Sequence, residues 1–389
     1  MLHIAPRVRA EIDSPIGASY ALIEHRSGRR PLLDLGQAAP PYPPAASVVD
    51  HVAAVAHDPL GAAYVGQAGL ESLRVAFAAD LTAAYRGPVD PNDIVVTAGC
   101  NQAFCLAMGA LAEPGDEIVT PLPVYFNHDM WLRMTGITPV YLEPGADLVP
   151  TAAAAEPLIT PRTRAIVLVS PGNPTGVTIP PAGIVEFAAL AARHGIALVL
   201  DETYRSFRGT DEPAHGLFAD PAWGDVLVSL HSFSKDLAIP GYRVGAVVAA
   251  PAVNREVMKL LDCVAIGAPR VGQEAAWAGL VTAQQWRADR AAEIADRRAG
   301  FVAAMADRPG GFEVAASGGF FAWVRHPFPG RPTEQVVRDL VVGQDLLLIP
   351  GTAFGPDDRA TMRVSIGNLD PARLADVMER LTEAGAAGR

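Results

Sequence analysis

The side-chain amines of this chain are confined to two positions. Thirty-one residues are basic, yet only Lys235 and Lys259 are lysines. Lys259 falls within a helical pattern, residues 252–264, beside Glu256, so we expect it to be solvated. Lys235 ends the segment Ser232-Phe233-Ser234-Lys235, which follows an apolar strand pattern. Because an amine held among hydroxyls can form an imine with an aldehyde, Lys235 is the candidate for covalent chemistry.

Groups near this lysine could bind anions. Ser232, Ser234 and Arg243 offer hydroxyls and a forked guanidinium, which together suit a phosphate. The segment Gly99-Cys100-Asn101 precedes a helical pattern and offers free backbone N–H groups at a helix N-terminus. The sequence therefore predicts a phosphate site at the serines and the arginine, and a second anion site at this helix N-terminus.

A carboxylate stands at the end of another apolar strand pattern. Asp201 follows residues 196–200, and a buried carboxylate is costly unless it is paired. A cationic ring nitrogen would be a suitable partner. A ring that combines such a nitrogen with an aldehyde and a phosphate is pyridoxal 5'-phosphate (PLP). The residues together therefore predict a PLP site, and we expect Asn173 and Tyr204, which also follow strand patterns, to lie in it.

The elements that must position these groups alternate between strands and helices. Short apolar runs predict strands at 94–97, 117–120, 138–142, 165–169, 196–200, 226–230 and 246–249. Helical spacing of apolar residues predicts helices at 69–86, 102–111, 126–135 and 181–194. Continuous apolar strands are typical of a parallel sheet covered on both faces. Because ligands bind at the carboxyl edge of such sheets, we expect Asn173, Asp201 and Lys235 to converge there.

Both ends of the chain depart from this alternation. The first 45 residues are expected to be irregular, and they end in a proline cluster, 40–44, that cannot be helical. After about Arg270 a charged helical region is expected to run to Arg308. Shorter elements then follow, with strands at 312–315, 320–324, 346–349 and 362–365 and helices at 333–342 and 371–384. We interpret this last part as a smaller α/β domain.

Composition excludes several classes of protein. A net charge of −11 and the lack of a basic patch argue against binding to nucleic acid or to anionic lipid. No apolar run approaches the roughly 20 residues of a membrane-spanning helix, and we recognise no secretory signal. The three cysteines and nine histidines show no metal-ligand spacing. We therefore expect no metal, histidines that are structural or on the surface, and a reducing, cytoplasmic location.

The motifs together resemble the class I and II aminotransferases, fold-type I PLP enzymes of the aspartate aminotransferase superfamily, over nearly the whole chain. Residues 170–176, Ser-Pro-Gly-Asn-Pro-Thr-Gly, resemble the asparagine loop of this family, and Asp201-Glu202-Thr203-Tyr204 resembles its aspartate–tyrosine motif. Residues 232–243 resemble its Schiff-base lysine segment, and Met362-Arg363-Val364-Ser365 its C-terminal arginine motif. Weaker similarity lies in Leu35-Gly36-Gln37, in Tyr64 with residues 69–74, and in residues 318–323.

This resemblance implies an architecture and an activity. The fold would be α/β, with a large domain in which a mostly parallel seven-stranded sheet lies between helices, plus a smaller α/β domain. Residues 1–45 would join the small domain, 46–270 would form the large PLP-binding domain, and 271–389 the small C-terminal domain. The implied enzyme is a PLP-dependent aminotransferase that moves an amino group between an L-amino acid and a 2-oxo acid through a Schiff base on Lys235. It would be a homodimer with active sites at the interface.

The resemblance also implies a role for each site residue. Lys235 would carry the cofactor and move the proton, Asp201 would keep the ring nitrogen protonated, and Tyr204 would hydrogen-bond the 3'-oxygen of the ring. The remaining cofactor contacts would come from Asn173 at the 3'-oxygen, Tyr125 on the ring face, and Gly99, Cys100, Asn101, Ser232, Ser234, Arg243 and the partner subunit's Tyr64 at the phosphate. The substrate would be bound by Gly36, Asn173 and Arg363, with Arg363 on the α-carboxylate.

Other interpretations of single residues stay open at this point. Lys235 could be a surface lysine, Asp201 a helix N-cap, Arg363 part of a structural salt bridge, and Tyr125 a core side chain. Arg270 either begins a helix or enters the site of a neighbouring subunit.

The reaction and the substrate are also open. The same cofactor residues would serve a carbon–sulfur β-lyase or a specialised amino-acid oxidase or cyclase. A PLP-sensing regulator is disfavoured, since the residues before the fold show no helix-turn-helix pattern. Cys100 and Ala38-Ala39 depart from the pattern of the family, and the second departure bears on the side-chain pocket. No second arginine is clearly placed for a dicarboxylate, which favours a substrate with a neutral or aromatic side chain.

Overall fold

The computed structural model describes residues 2–387, and these form thirteen α-helices and thirteen β-strands. The helices, α1 to α13 in chain order, are Pro6–Arg9, Pro15–Ala21, Ala46–His57, Glu71–Tyr85, Cys100–Leu111, Phe126–Thr135, Ala152–Ala155, Pro181–His194, Pro251–Ala265, Arg270–Thr282, Gln284–Ala304, Thr333–Gln344 and Leu374–Ala387. The strands, β1 to β13, are Leu33–Asp34, Ile94–Thr97, Glu117–Pro121, Thr138–Leu142, Thr163–Val169, Ala197–Asp201, Leu227–Ser232, Gly245–Val248, Glu313–Gly318, Phe321–Arg325, Leu346–Leu347, Ile349–Pro350 and Thr361–Ser365. None of these helices is both long enough and apolar enough to cross a bilayer.

A seven-stranded sheet forms the centre of the large domain. Its strand order is β2-β8-β7-β6-β5-β3-β4, and β8 is antiparallel to both of its neighbours while the other pairs are parallel. Side chains of β6 alternate between two cores: Leu198 and Leu200 pack under α4, α8 and α10, and Val199 packs under α5 and α9. Because both faces are covered, apolar residues can follow one another along a strand, as Leu198, Val199 and Leu200 do in β6. The prediction of a mostly parallel seven-stranded sheet between helices is confirmed.

A smaller layer follows in the C-terminal part of the chain. Strands β12, β13, β10 and β9 form an antiparallel sheet in that order, and residues of α11, α12 and α13 share its core. The N-terminal segment joins this layer, because β1 pairs in parallel with β11 through Leu33 and Leu346. The smaller α/β domain expected from the sequence is therefore present.

The first 45 residues are not irregular throughout, so the expectation was wrong for two short helices. They contain α1 and α2, and α2 begins with Pro15 in its first turn while the Ser14 hydroxyl accepts a hydrogen bond from the Gly17 N–H at 3.4 Å. Proline fits the first turn of a helix because the N–H that it lacks has no helical partner there. The proline cluster itself is non-helical, as expected.

The charged helical region after Arg270 is two helices rather than one. Ala283, with φ −121° and ψ 27°, separates α10 from α11. Helix α10 buries Ala275, Ala276 and Leu280 in the core of the large sheet, whereas α11 buries Phe301 in the small domain. The division of the chain at residue 270 stays a prediction, and the packing of α10 favours a large unit that extends to Ala283.

The carboxyl ends of three neighbouring strands bring the predicted site residues together. Strand β5 ends at Val169, which is paired with Asp201 at the end of β6, and β7 lies beside β6 and ends at Ser232. Strand β13 of the smaller sheet carries Arg363. The crevice between the two layers therefore receives groups from segments far apart in the sequence.

Candidate functional site

A cleft of about 450 Å³ lies at this edge of the large sheet. Its volume is in the range of ordinary small-molecule sites. Eleven of the predicted residues line it: Cys100, Asn101, Tyr125, Asn173, Asp201, Tyr204, Ser232, Ser234, Lys235, Arg243 and Arg363. The N-terminal segment closes one side with Ser14, Ile16, Gln37 and Ala38. The structure thus brings together in one place the groups for which the sequence predicted a shared ligand.

Lys235 lies within this cleft with its Nζ donating a hydrogen bond to the Ala38 carbonyl oxygen. Burial, together with the positive charges of Arg363 and Arg243, lowers the pKa of Lys235 to about 8. With this pKa the amine is still largely a cation near physiological pH, but a usable fraction of it is neutral, and both imine formation and proton transfer require the neutral amine. Lys259 differs, because it is exposed and its Nζ lies 2.6 Å from Glu256 Oε2.

Asp201 is buried at the end of β6 and contacts two groups of the chain. Its Oδ1 accepts a hydrogen bond from the Thr203 N–H at 2.9 Å, and its Oδ2 lies 3.4 Å from His128 Nε2. Burial by itself would raise the pKa of Asp201, but the adjacent His128 ring and the contacts to Thr203 more than offset it and lower the pKa. The carboxylate therefore stays ionised in a buried place, as the counter-charge of a cationic ring must be.

His128 is a site residue that the sequence did not reveal. Its ring is buried and stacks on Phe104, with 3.8 Å between the ring centroids. We expected the histidines to be structural or on the surface, because none shows metal-ligand spacing. His128 lies three residues after Tyr125, so its place in the first turn of α6 was the available signal, but its contact with Asp201 depends on how α6 packs against β6.

Replacing His128 with asparagine is expected to raise the pKa of Asp201. The substitution removes the imidazole ring whose proximity lowers this pKa, while the burial that raises it remains. Asp201 would then take up a proton at a higher pH, so activity on the acid side would be lost at a higher pH than in the unaltered enzyme. The pH profile of kcat/KM measures this shift.

The matched control for this substitution is His326→Asn. His326 is buried in the small domain, where its ring lies 3.1 Å from the Thr333 hydroxyl. If the acid limb of the pH profile does not move in His128→Asn, or moves equally in both variants, then His128 does not lower the pKa of Asp201.

The predicted phosphate site at Arg243 lies directly beside the second predicted anion site at Gly99. Gly99 precedes α5 with φ 88°, and a Cβ at this position would overlap the Arg243 guanidinium. That guanidinium donates to the carbonyl oxygens of Pro240, at 3.0 Å, and Ala98, at 3.3 Å. It has no carboxylate partner among the described residues, so its charge is available to an anion.

Arg363 is a buried cation whose partners are all neutral. Its Nη1 donates to Asn173 Oδ1 at 2.8 Å and its Nη2 to the Gly36 carbonyl at 2.6 Å. The rings of Phe321 and Phe354 lie 5.0 and 5.2 Å from its Cζ. Burial lowers its pKa to about 10, so the group is charged at neutral pH.

A buried charge without a counter-charge is costly, and no Asp or Glu of residues 2–387 pairs with Arg363. The Nε of Arg363 is also buried without a hydrogen-bond partner. An anionic ligand would supply the missing counter-charge. The interpretation of Arg363 as part of a structural salt bridge is therefore wrong.

The aromatic residues of the cleft are held by neighbours. Asn127 Nδ2 donates to the Tyr125 hydroxyl at 2.9 Å, and that hydroxyl lies 3.4 Å from Asn101 Oδ1. Tyr204 packs edge-on against Phe321, with 5.0 Å between centroids. Burial raises the pKa of Tyr204, so its hydroxyl stays protonated and can donate a hydrogen bond into the cleft.

Two residues lie away from the cleft in a single chain. Tyr64 is 84% exposed, and its predicted role at a partner's phosphate stays a prediction. Arg270 begins α10, where it donates to the Leu60 carbonyl at 2.7 Å and lies 3.3 Å from Glu274 Oε1. The structure thus places Arg270 beside the segment that carries Tyr64.

The charges that line the cleft fit PLP and an amino acid. Three cations, Lys235, Arg243 and Arg363, face one carboxylate, Asp201, although the whole chain has a net charge of −11. A phosphate and a carboxylate would balance this local excess, and a protonated ring nitrogen would pair with Asp201. Residues 2–387 contain no group of three or more His, Cys, Asp or Glu side chains placed to hold a metal ion.

Comparisons with known proteins agree with this geometry. The family model for aminotransferases of class I and II matches residues 30–381. An aromatic aminotransferase of Arabidopsis thaliana is 28% identical over 359 residues, which are 90% of this chain and 88% of that protein. An arginine–pyruvate transaminase of Pseudomonas aeruginosa is 31% identical over 285 residues, which are 72% and 71% of the two chains.

Solved structures show the same fold. An aspartate aminotransferase from Thermus thermophilus with maleate superposes with a TM-score of 0.89 at 23% identity, over 99% of this chain and 100% of that one. The similar proteins are named for aromatic amino acids, arginine and aspartate. Relatives of this chain thus differ in the amino acid for which they are named.

Proposed function

Because the chain belongs to the class I and II aminotransferases, which use PLP to move an amino group from an amino acid to a 2-oxo acid, we propose that the cleft at Lys235 is the site of this transfer. The observation that carries the proposal is the excess of cations in the cleft. None of the three cations has a carboxylate partner among the residues that the structure describes, and two of them, Arg243 and Arg363, are not needed for the bond to the cofactor aldehyde. They match the two anions of the reaction, the phosphate of the cofactor and the α-carboxylate of the substrate.

Each residue of the cleft has a task in this proposal. PLP, when bound, supplies an aldehyde that joins to an amine and a ring that accepts the electrons of the Cα–H bond. Lys235 would hold the cofactor through its side-chain amine, and the same amine would move the proton at the substrate Cα. Its lowered pKa suits this second task, since a base works best when its pKa lies near the working pH.

The remaining groups orient the cofactor. Asp201 would keep the ring nitrogen protonated, Asn173 and Tyr204 would hydrogen-bond the 3'-oxygen, and Tyr125 would pack on the ring. The phosphate is bound by the Arg243 guanidinium, the hydroxyls of Ser232 and Ser234, and the segment of Gly99, Cys100 and Asn101 at the start of α5. Burial raises the pKa of the Cys100 thiol, so Cys100 remains neutral, which agrees with a filling rather than a nucleophilic role.

Arg363 is the residue that binds the substrate α-carboxylate, with Gly36 and Asn173 fixing its guanidinium. Arg363→Met is expected to raise KM for both the amino acid and the 2-oxo acid. A hydrogen bond to a charged group contributes about 1.5–3 kcal/mol, which corresponds to a roughly 10- to 150-fold rise in KM. Steady-state kinetics with each substrate measures it.

The control for Arg363→Met is Arg380→Met, which removes a buried arginine that pairs with Asp376 in the small domain. Equal effects of the two substitutions on KM would contradict carboxylate binding by Arg363.

The substrate side chain is proposed to be uncharged. Asp201, Lys235, Arg243 and Arg363 are the charged residues that line the cleft in the described chain, and each already has a partner in the proposal. The rest of the wall is apolar or neutral, with Ile16, Phe126, Asn127, Gln37 and Ser14. A second carboxylate would lose its hydration without gaining a counter-charge, so we expect neutral or aromatic amino acids to have a higher kcat/KM than aspartate or glutamate.

An absorbance scan of the purified enzyme, followed by single amino-acid donors, tests the function. The visible band of bound PLP should disappear when a donor is added and return with a 2-oxo acid. Pyridoxamine phosphate recovered after one turnover supports transfer. Release of pyruvate and thiol from cystathionine without pyridoxamine phosphate would instead show a β-lyase.

The enzyme is proposed to act as a homodimer in the cytoplasm, with no nucleic acid or membrane partner. Leu60, Tyr64, Val264 and Ile266 expose at least half of their surface in the single chain, and Arg270 ties the Leu60 segment to α10. We expect a dimer to cover these side chains, and the family resemblance implies that the partner's Tyr64 then contacts the phosphate. Light scattering that finds a monomer with full activity would contradict this part of the proposal.

A further inference from the structure

Four largely buried charged residues form a continuous ion-pair network beside the cleft. Arg287 lies at its centre, with Nη2 2.7 Å from Asp236 Oδ2 and Nη1 2.8 Å from Asp80 Oδ1. The other oxygen of Asp80 pairs with Arg205. The order of contacts is therefore Arg205–Asp80–Arg287–Asp236. None of the four side chains lines the cleft itself, and the function proposed above assigns none of them a task.

The network ends next to two residues of the cleft. Arg205 directly follows Tyr204, and Asp236 directly follows Lys235. These two positions lie on different segments, after β6 and after β7. The bridge between them is made by Asp80, from the middle of α4, and Arg287, from the first turn of α11.

Helix α11 gives the network a connection to the small domain. It begins at Gln284, directly after the break at Ala283, and farther along it buries Phe301 in the small-domain core. Arg287 therefore lies where the chain passes from the large sheet to the smaller layer. An ion pair at this point ties the start of α11 to the segment that carries Lys235.

The network is balanced in charge and needs no ligand. Two arginines neutralise two aspartates, and the side chains are 9% to 20% exposed. Burial would raise the pKa of Asp80, but the charges of Arg205 and Arg287 more than offset it and lower the pKa. Apolar side chains in place of a buried ion-pair network often stabilise a protein as well or better. We therefore look for the main effect of this network in the geometry that it imposes on the segments it joins.

We propose that the Arg205–Asp80–Arg287–Asp236 network is a positioning device that fixes the backbone at Tyr204 and Lys235 relative to each other and to the start of α11. The inference rests on the proposed function, since it assigns the two flanked residues to the reaction. Each member acts through its neighbour and not on the substrate. A displacement of about 1 Å at a reacting group can cost around 10²-fold in rate, so loss of the network should lower kcat while KM, set by Arg363, changes little.

Arg287→Met is the central test, because it removes both contacts at once. We expect kcat to fall by about 10- to 100-fold and the visible circular dichroism of bound PLP, which reports how the ring is held, to weaken. Arg287→Lys keeps the charge but cannot span both carboxylates with a planar fork, so it should recover part of kcat. Asp236→Asn added to Arg287→Met should cost little more, since both changes break the same contact.

Arg380→Met again serves as the control, since it removes a buried ion pair of the small domain. If Arg287→Met and Arg380→Met lower the unfolding temperature alike and leave kcat and the dichroism unchanged, the network only stabilises the fold and the proposal is overturned. If Arg287→Met does not fold, Asp236→Asn alone is tested by kcat and by the visible circular dichroism of bound PLP. A failure of the proposed function would give a different result. Borohydride treatment of the unaltered enzyme would then not attach PLP to Lys235.

Discussion

Lys235→Ala is expected to abolish amino transfer and the covalent attachment of PLP. The substitution removes the amine that joins to the cofactor aldehyde, and with it the base that moves the Cα proton. Positioned proton transfer by itself contributes about 10²–10⁴-fold, so kcat should fall by at least this factor. Transfer assays measure the fall, and borohydride reduction followed by peptide mapping shows whether the cofactor is attached.

The sequence provides a matched control, since Lys259 is the other lysine of the chain. Lys259→Ala should leave both the rate and the label in place, because Lys259 is exposed and paired with Glu256. A label found on a peptide without Lys235, or native turnover in Lys235→Ala, would overturn the mechanism.

Asp201→Asn is expected to lower kcat by about 10²–10³-fold, the range seen when one preorganised electrostatic contact is removed from a reacting centre. An amide of nearly the same shape cannot neutralise a protonated ring nitrogen. The ring would then accept electrons less readily, although the phosphate contacts of Arg243 remain. PLP should therefore still bind, and the loss should appear in kcat more than in cofactor affinity.

Two further variants distinguish the effect of the Asp201 charge on the rate from an effect of the substitution on folding. Asp201→Glu keeps the charge and should recover part of the rate. Asp345→Asn removes another buried carboxylate, which accepts hydrogen bonds from Arg26, Gly28 and Arg30 in the small domain, and should affect stability without this loss of rate. If Asp201→Asn retains native kcat, or loses activity only through unfolding, Asp201 does not act on the ring.

The large sheet was predictable because its signal is local. Strands such as β6 are apolar at each position before the terminal Asp201, since both faces are covered, and such a run identifies a buried parallel strand without knowledge of its neighbours. The order of these runs, with Asp201 directly after one and Lys235 a few residues after another, also predicted one shared site. The resemblance of the motifs predicted the PLP-dependent aminotransferase family, which the comparisons confirm.

Elements that depend on distant contacts were predicted less well. The break at Ala283 has no glycine or proline to mark it, and it arises because α10 packs on the large sheet while α11 packs on the small one. The strand expected at 346–349 is divided between β11, which pairs with β1, and β12, which pairs with β13. In both cases the partner lies far away in the sequence, so no local pattern records it.

The amino-acid sequence by itself determined which groups are available: one lysine among serines, a carboxylate after an apolar strand, and arginines at positions that the family resemblance identifies. Only the tertiary structure decided how these groups affect one another. It placed His128 against Asp201, left Arg243 and Arg363 without carboxylate partners among the described residues, and joined Asp236 to Arg205 through Asp80 and Arg287. Side-chain type is a property of each residue, whereas burial and the distance to a charge depend on how separate segments pack.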